Sequence, residues 1–185
     1  MQFDELVNKW QGPIGEWAIE KGWITQERDP DHPDKMRNVP RDMLHLLMLM
    51  VTELAELEEG LRKEDDANIR EEVADFAIRA IQMRAEYGFN CKTEMDLDDL
   101  LTDPEEDVSI YSMVANAAEA WRRKGMDDDE REVTVWGNLA GAIATAACDN
   151  APDGDEESVL DWLDVAIRDK MEKNAKRPYK HGKLA

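Results

Sequence analysis

Residues 51–60 read VTELAELEEG, and residues 69–78 read IREEVADFAI. Each stretch holds an acidic pair at i,i+3 spacing, Glu53 with Glu56 and Glu72 with Asp75. On an α-helix that spacing sets both carboxylates on one face, one turn apart. Two such helices folded back on each other aim four carboxylates at one place. Four converging anions repel unless a hard cation sits among them, and Mg²⁺ or Mn²⁺ takes oxygen ligands. The pattern points to a metal site, and such a site points to phosphate chemistry.

The surrounding residues are helical in pattern. Residues 41–62 predict a helix with Leu44, Leu47, Met48, Val51, Leu54 and Ala55 as its buried face. The polar run 63–68 turns the chain, and residues 69–87 predict a second helix with Val73, Phe76, Ala77, Ala80 and Ile81 inward. Gly88 is a helix stop. Upstream, residues 2–22 predict a helix that Gly12-Pro13 kinks or splits, anchored by Trp10, Trp17 and Trp23. Residues 25–40 carry Pro30, Pro33 and Pro40 among charges and read as a loop, and the acidic run 90–107 reads mostly as loop. A second helical pair is expected at 108–124 and 131–149, then a last helix at 156–175 and a basic tail. No stretch alternates as strands do. The expectation is one all-α domain of 185 residues, a helical bundle.

A 63-residue offset aligns Val51 with Val114, Ala55 with Ala118, Glu56 with Glu119 and Ala77 with Ala140. It suggests that 108–150 is a degenerate repeat of the acidic helical pair. Glu53, Glu72 and Asp75 then map to Asn116, Val135 and Asn138, so the second copy lacks three of the four carboxylates.

The net charge of −20 argues against direct binding to nucleic acid or to anionic membranes. No apolar run approaches the roughly 18 residues of a membrane span. Cys91 and Cys148 form no disulfide framework, and a reducing cytoplasm is expected. Yet residues 168–185 hold seven Lys or Arg against two acids. There, Lys170, Asn174 and Arg177 share a helix face, followed by Tyr179, His181 and Lys183. Arg and Lys suit phosphate oxygens, and an Asn amide suits phosphate or sugar.

One acidic i,i+3 pair is usually a solvated helix face; two pairs on neighbouring helices, each beside a core stripe, carry more weight. No Lys or Arg flanks Glu53 or Glu56 on their own face, so a cation is the natural partner. Glu58, Glu59 and Glu71 read as surface. Trp10, Trp17, Trp23 and the 25–40 segment are the candidates to approach a base, although indoles at helical spacing are more commonly core anchors. His32 and His45 read as incidental.

Three blocks in order, HLLMLMVTELAELEEGLRK, EEVADFAIRAI and KMEKNAKRPYKHGK, resemble the MazG-like all-α nucleoside triphosphate pyrophosphohydrolases, particularly phage-type members. The resemblance covers roughly residues 41–90 and 158–183. It implies that Glu53, Glu56, Glu72 and Asp75 hold Mg²⁺ (or Mn²⁺), and that Lys170, Asn174 and Arg177 meet triphosphate or sugar. It implies cleavage of a nucleoside triphosphate, with dGTP or dATP favoured, to monophosphate and pyrophosphate. A homo-oligomer, dimer or tetramer, is expected, in the host cytoplasm if the chain is phage-encoded. Two features depart from the family pattern. Thr52 stands where many members have a further Glu, and about 65 residues separate the second acidic helix from the basic motif. A degenerate second copy could replace a partner subunit within one chain. The competing readings are an acidic DNA-mimic inhibitor and a nucleotide-binding relative without activity.

Overall fold

In the computed structural model, which describes residues 2–89, 109–152 and 156–178, six helices form a bundle with one small hairpin on its side. Most helix ends carry their own signals. Gln2 and Glu5 form a capping box at the start of α1, Phe3–Glu20. Asp42 accepts from the His45 amide (2.9 Å) at the start of α2, Met43–Lys63. Asp65 does the same for the Asn68 amide (3.1 Å) at α3, Asp66–Tyr87, which ends on left-handed Gly88 (φ 70°). Ser109 caps α4, Ile110–Arg122, and Asp127 caps α5, Asp128–Asn150. The last helix, α6, is Glu156–Ala175.

The all-α expectation holds, with two local corrections. First, α1 is not split at Gly12-Pro13; it runs through Pro13. Phe3, Leu6 and Val7 before the proline and Ile14 and Ala18 after it are all buried, so packing on both sides offsets the lost backbone bond. Second, residues 25–40 are not simply a loop. Strands β1, Thr25–Arg28, and β2, Met36–Val39, pair antiparallel, with Thr25 opposite Val39 and Arg28 opposite Met36. Pro30 and Pro33 lie in the connection, where they cost no ladder bond. Gln26–Asn38 (3.0 Å) and the Arg37–Glu27 ion pair cross the strands, and Asn38 donates to the Ala85 carbonyl of α3 (3.2 Å). The strands are almost wholly exposed, which removes the alternation that would have announced them.

The buried face of α2 is also rotated from the expected one. Met43, Leu46, Leu47, Met50, Leu54 and Leu57 point inward, whereas Leu44 and Met48 are 46% and 61% exposed and Ala55 is exposed. Residues 43–51 (MLHLLMLMV) are apolar nearly all round, so periodicity left the phase open. The rotation carries Glu53 inward with the core stripe.

Helix α3 is the axis of the bundle. It packs against α1, α2, α5 and α6, and its inward residues include the expected Val73, Phe76, Ala77, Ala80 and Ile81. A two-residue link turns α2 back along α3. The α4–α5 pair lies against this first pair, α4 on α2 and α5 on α3. Of the positions that the 63-residue offset pairs with the carboxylates, Asn116 is exposed, Val135 is core, and Asn138 donates to its own helix at Thr134. Trp136, fully buried, stacks under the Arg84 guanidinium at 4.8 Å.

The α2–α3 link contains Glu64 with φ 54°, a left-handed conformation that costs a residue with a Cβ roughly 1 kcal/mol. Glu64→Gly is expected to stabilise the protein by about 1 kcal/mol in urea unfolding. A loss of stability would instead show that the Glu64 side chain contributes to the turn.

Candidate metal centre and its cleft

The inward turn of α2 and the burial of α3 bring three carboxylates together. Glu53 and Glu72 are only 5% and 6% exposed, and Glu56 is open to solvent. One oxygen from each lies within 4.8 Å of the others. Glu72 Oε2 is buried and has no hydrogen-bond partner among the described residues. Burial pushes the Glu72 carboxyl up to about 7; Asp75, Glu56 and Glu53 add to the rise, and Lys170 opposes it. Burial likewise raises Glu53, against the pull of Arg79.

Asp75, the fourth expected ligand, stands apart from this trio. The Lys170 ammonium is held by Asp75 (2.6 Å) and by Glu71. Lys170 is 4% exposed, so its charge is spent inside the protein. Burial works against that charge, but Asp75 and Glu71 hold its pKa above the ordinary value. The sequence places Lys170 on phosphate; the structure places it on Asp75. Glu71, expected on the surface, is half-buried and also meets Lys173 at 2.6 Å.

Arg79 is the residue missed from sequence. Its Nε donates to Glu53 Oε1 across the helix pair. A search of α2 alone finds no cation there, because the partner comes from α3. Its signal was present, since Arg79 follows Glu72 and Asp75 at i+7 and i+4, on their face of α3.

Beside these groups opens a cleft of about 240 Å³. Asp75, Ile78, Arg79 and Gln82 line it from α3, with Arg41, His45 and Leu49 from α2 and the residues just before it. Trp17 and Trp23 line it from the end of α1 and the link that follows, and Asn174 and Arg177 from the end of α6. Glu86 braces one wall by clasping the Arg41 guanidinium (2.7 Å), and the Tyr87 hydroxyl donates to the Arg41 carbonyl (2.6 Å). Two side chains on the cleft are almost fully buried with unpaired atoms: Asn174 Oδ1 and Gln82 Nε2 have no partner among the described residues. A second, shallower hollow of about 250 Å³ reaches Glu56 and Glu72 from the α2–α3 turn.

The structure thus brings Trp17, Trp23, Asn174 and Arg177 to one cleft that Asp75 also lines. His45, read as incidental, lies on the same cleft. Trp10 does not line it; its Nε1 donates to Asp164 (2.7 Å), which also holds Lys9. Tyr179, His181 and Lys183 lie outside the described residues.

The donor set fits a hard divalent cation. All donors are oxygens, and one buried oxygen of Glu72 has no partner among the described residues. An octahedral Mg²⁺ spans about 4.2 Å between opposite oxygens, so small rotamer changes would close the trio on one ion. The charge balance agrees. Arg79 and Lys170 offset Glu53 and Asp75, Lys173 offsets Glu71, and Glu56 and Glu72 remain for one divalent cation.

No family model, curated protein or solved structure matches the chain.

Proposed function

We propose that this chain is a Mg²⁺- or Mn²⁺-dependent nucleoside triphosphate pyrophosphohydrolase, acting on a purine deoxynucleotide such as dGTP or dATP. One observation carries the reading: Glu72, whose buried Oε2 has no partner among the described residues, groups with Glu53 and Glu56 next to a cleft with two indoles and a basic rim. A buried carboxylate without a partner is costly, and structures keep one where it has work to do. The purine preference rests on the phage-type resemblance alone.

Glu53, Glu56 and Glu72 would hold the cation, with Asp75 at the edge. Bound there, it would supply Lewis-acid polarisation of the α-phosphate and offset charge on the leaving pyrophosphate. Arg79 holds and aims the Glu53 carboxylate and opposes the rise in its pKa that burial causes. Lys170 holds Asp75 in place, as a positioning residue. Arg177, on the rim, offsets phosphate charge. Glu56, the solvent-open member of the trio, takes the proton of the attacking water as the bond to pyrophosphate breaks. The indoles of Trp17 and Trp23 offer flat apolar walls to a base.

The bundle supports a further point. The α4–α5 pair lies against α2–α3 within one chain, the position that a second subunit's pair takes if such sites are built between subunits. A DNA-mimic inhibitor would use exposed acids; the burial of Glu53 and Glu72 runs against that alternative. Among the described residues no helix is long and apolar enough to cross a membrane.

A panel of eight NTPs and dNTPs tests the reaction directly. With Mg²⁺ the expected products are monophosphate and pyrophosphate, and EDTA should abolish both. No turnover of any nucleotide with either Mg²⁺ or Mn²⁺ would overturn the proposal.

A further inference from the structure

Gln82 is a buried amide that the hydrolytic chemistry does not use. It is 5% exposed, it lines the cleft one turn beyond Arg79, and its Nε2 lacks a partner among the described residues. Asn174, 3% exposed, faces the same space from α6 with its Oδ1 unpaired. Trp17, which also lines this cleft, has a buried Nε1 without a partner among the described residues. Leaving one such group unsatisfied costs about 1–3 kcal/mol, and native proteins rarely leave several around one opening. An occupant of the cleft that reaches them would supply the partner they lack among the described residues.

The chemistry of that partner is constrained. Each amide both donates and accepts, so Gln82 and Asn174 together suit an occupant that carries acceptors and donors. Two indoles, Trp17 and Trp23, line the same cleft, and that lining suits a nucleobase with its sugar. The size agrees. Ligand pockets usually run to about 300–1,000 Å³, so a cleft near 240 Å³ takes part of a nucleotide and leaves the phosphates outside, over Asp75 and the carboxylates. We propose that Gln82 is the base-reading residue of this cleft: its amide donates to an acceptor on the base edge, while Asn174 accepts from a base N–H or a sugar hydroxyl. This deepens the nucleotide reading above and rests on it for the identity of the occupant. Of the two expectations for Asn174, phosphate or sugar, it favours the nucleoside side.

A site built to hydrogen-bond its ligand discriminates more strongly than an apolar slot does, because the wrong ligand leaves its polar groups bare. Removing the Gln82 amide should therefore flatten base preference and leave metal binding untouched. The experiment is calorimetric titration of the full chain, in EDTA, with the four deoxynucleoside monophosphates. It compares wild type with Gln82→Met, which keeps length but loses both amide atoms, and with Gln82→Glu, which keeps shape but loses the donor. Mn²⁺ binding followed by electron paramagnetic resonance reports on the carboxylate centre, and thermal melts report on the fold.

The expected result is one preferred base in wild type, weakened about 10-fold or more in both variants and less for the other bases. Mn²⁺ affinity should be unchanged. If both variants fold and keep the wild-type ranking and affinities, the inference is wrong, whatever the turnover. Failure of wild type to bind any monophosphate would also overturn it. If wild type hydrolyses no triphosphate yet binds monophosphates with a ranking that depends on Gln82, the hydrolase reading falls and the base site stands.

Discussion

Replacing Glu72 is expected to lower kcat by ~1,000-fold or more while making the metal-free protein more stable. The two effects share one cause. Glu72 is buried with an unpartnered oxygen, and burial pushes its carboxyl up to about 7. Its pKa is thus higher in the folded than in the unfolded protein. The contribution to stability is fully present below the unfolded value of about 4.5 and is lost as pH rises through about 7. At pH 8 the metal-free wild type carries an ionised, poorly solvated carboxylate that Glu72→Gln lacks. The variant should gain on the order of 2–3 kcal/mol there, and little at pH 4.

A bound cation reverses the sign, because it takes the ionised form and releases the proton. Mg²⁺ should therefore raise the wild-type melting temperature more at pH 8 than at pH 5.5, and raise that of Glu72→Gln much less. Melting curves at the two pH values, with Mg²⁺ or EDTA, read all of this without any substrate. Near-full turnover by Glu72→Gln would remove Glu72 from the site.

Lys170→Met should unfold the protein more readily, by about 3–5 kcal/mol, because it leaves Asp75 with a charge and no partner in a part-buried site. For a chain of this size that is a fall of roughly 10 °C in melting temperature. Glu71 keeps Lys173, so the exposed charge is chiefly that of Asp75. Lys170→Met with Asp75→Asn should recover part of the loss, and the double-mutant cycle measures the coupling. The reading from sequence alone, Lys170 on phosphate, makes the opposite forecast. Under it the melting temperature would hold and KM would rise, and that result would return the ammonium to the substrate.

These two residues show where sequence reading stops. Glu72 was legible because two i,i+3 acidic pairs beside apolar stripes are unusual on a solvated helix. Lys170 was legible as a candidate, but its pairing with Asp75 and Glu71 was not, since those partners lie about a hundred residues earlier in the chain. Arg79 is hidden for the same reason: spacing along α2 shows only the partners that α2 itself supplies to Glu53, and the guanidinium comes from the next helix. Gln82 gave no signal, because a single Gln on a helix has no meaning until its side chain is seen buried without a partner.

The fold divides in the same way. Asp42, Asp65, Gly88, Ser109 and Asp127 mark helix ends by hydrogen bonds or backbone conformations that involve only the next few residues, so the sequence by itself determined the helices and the acidic pairs. Only the tertiary structure decided the phase of α2, the pairing of the 25–40 segment, and which charges neutralise one another. Capping and helical spacing act within one or two turns of chain, whereas the phase of an all-apolar segment and the partner of a buried charge depend on the distance to another helix. That distance set Glu53 against Arg79 and Asp75 against Lys170, and left Glu72 Oε2 without a partner among the described residues.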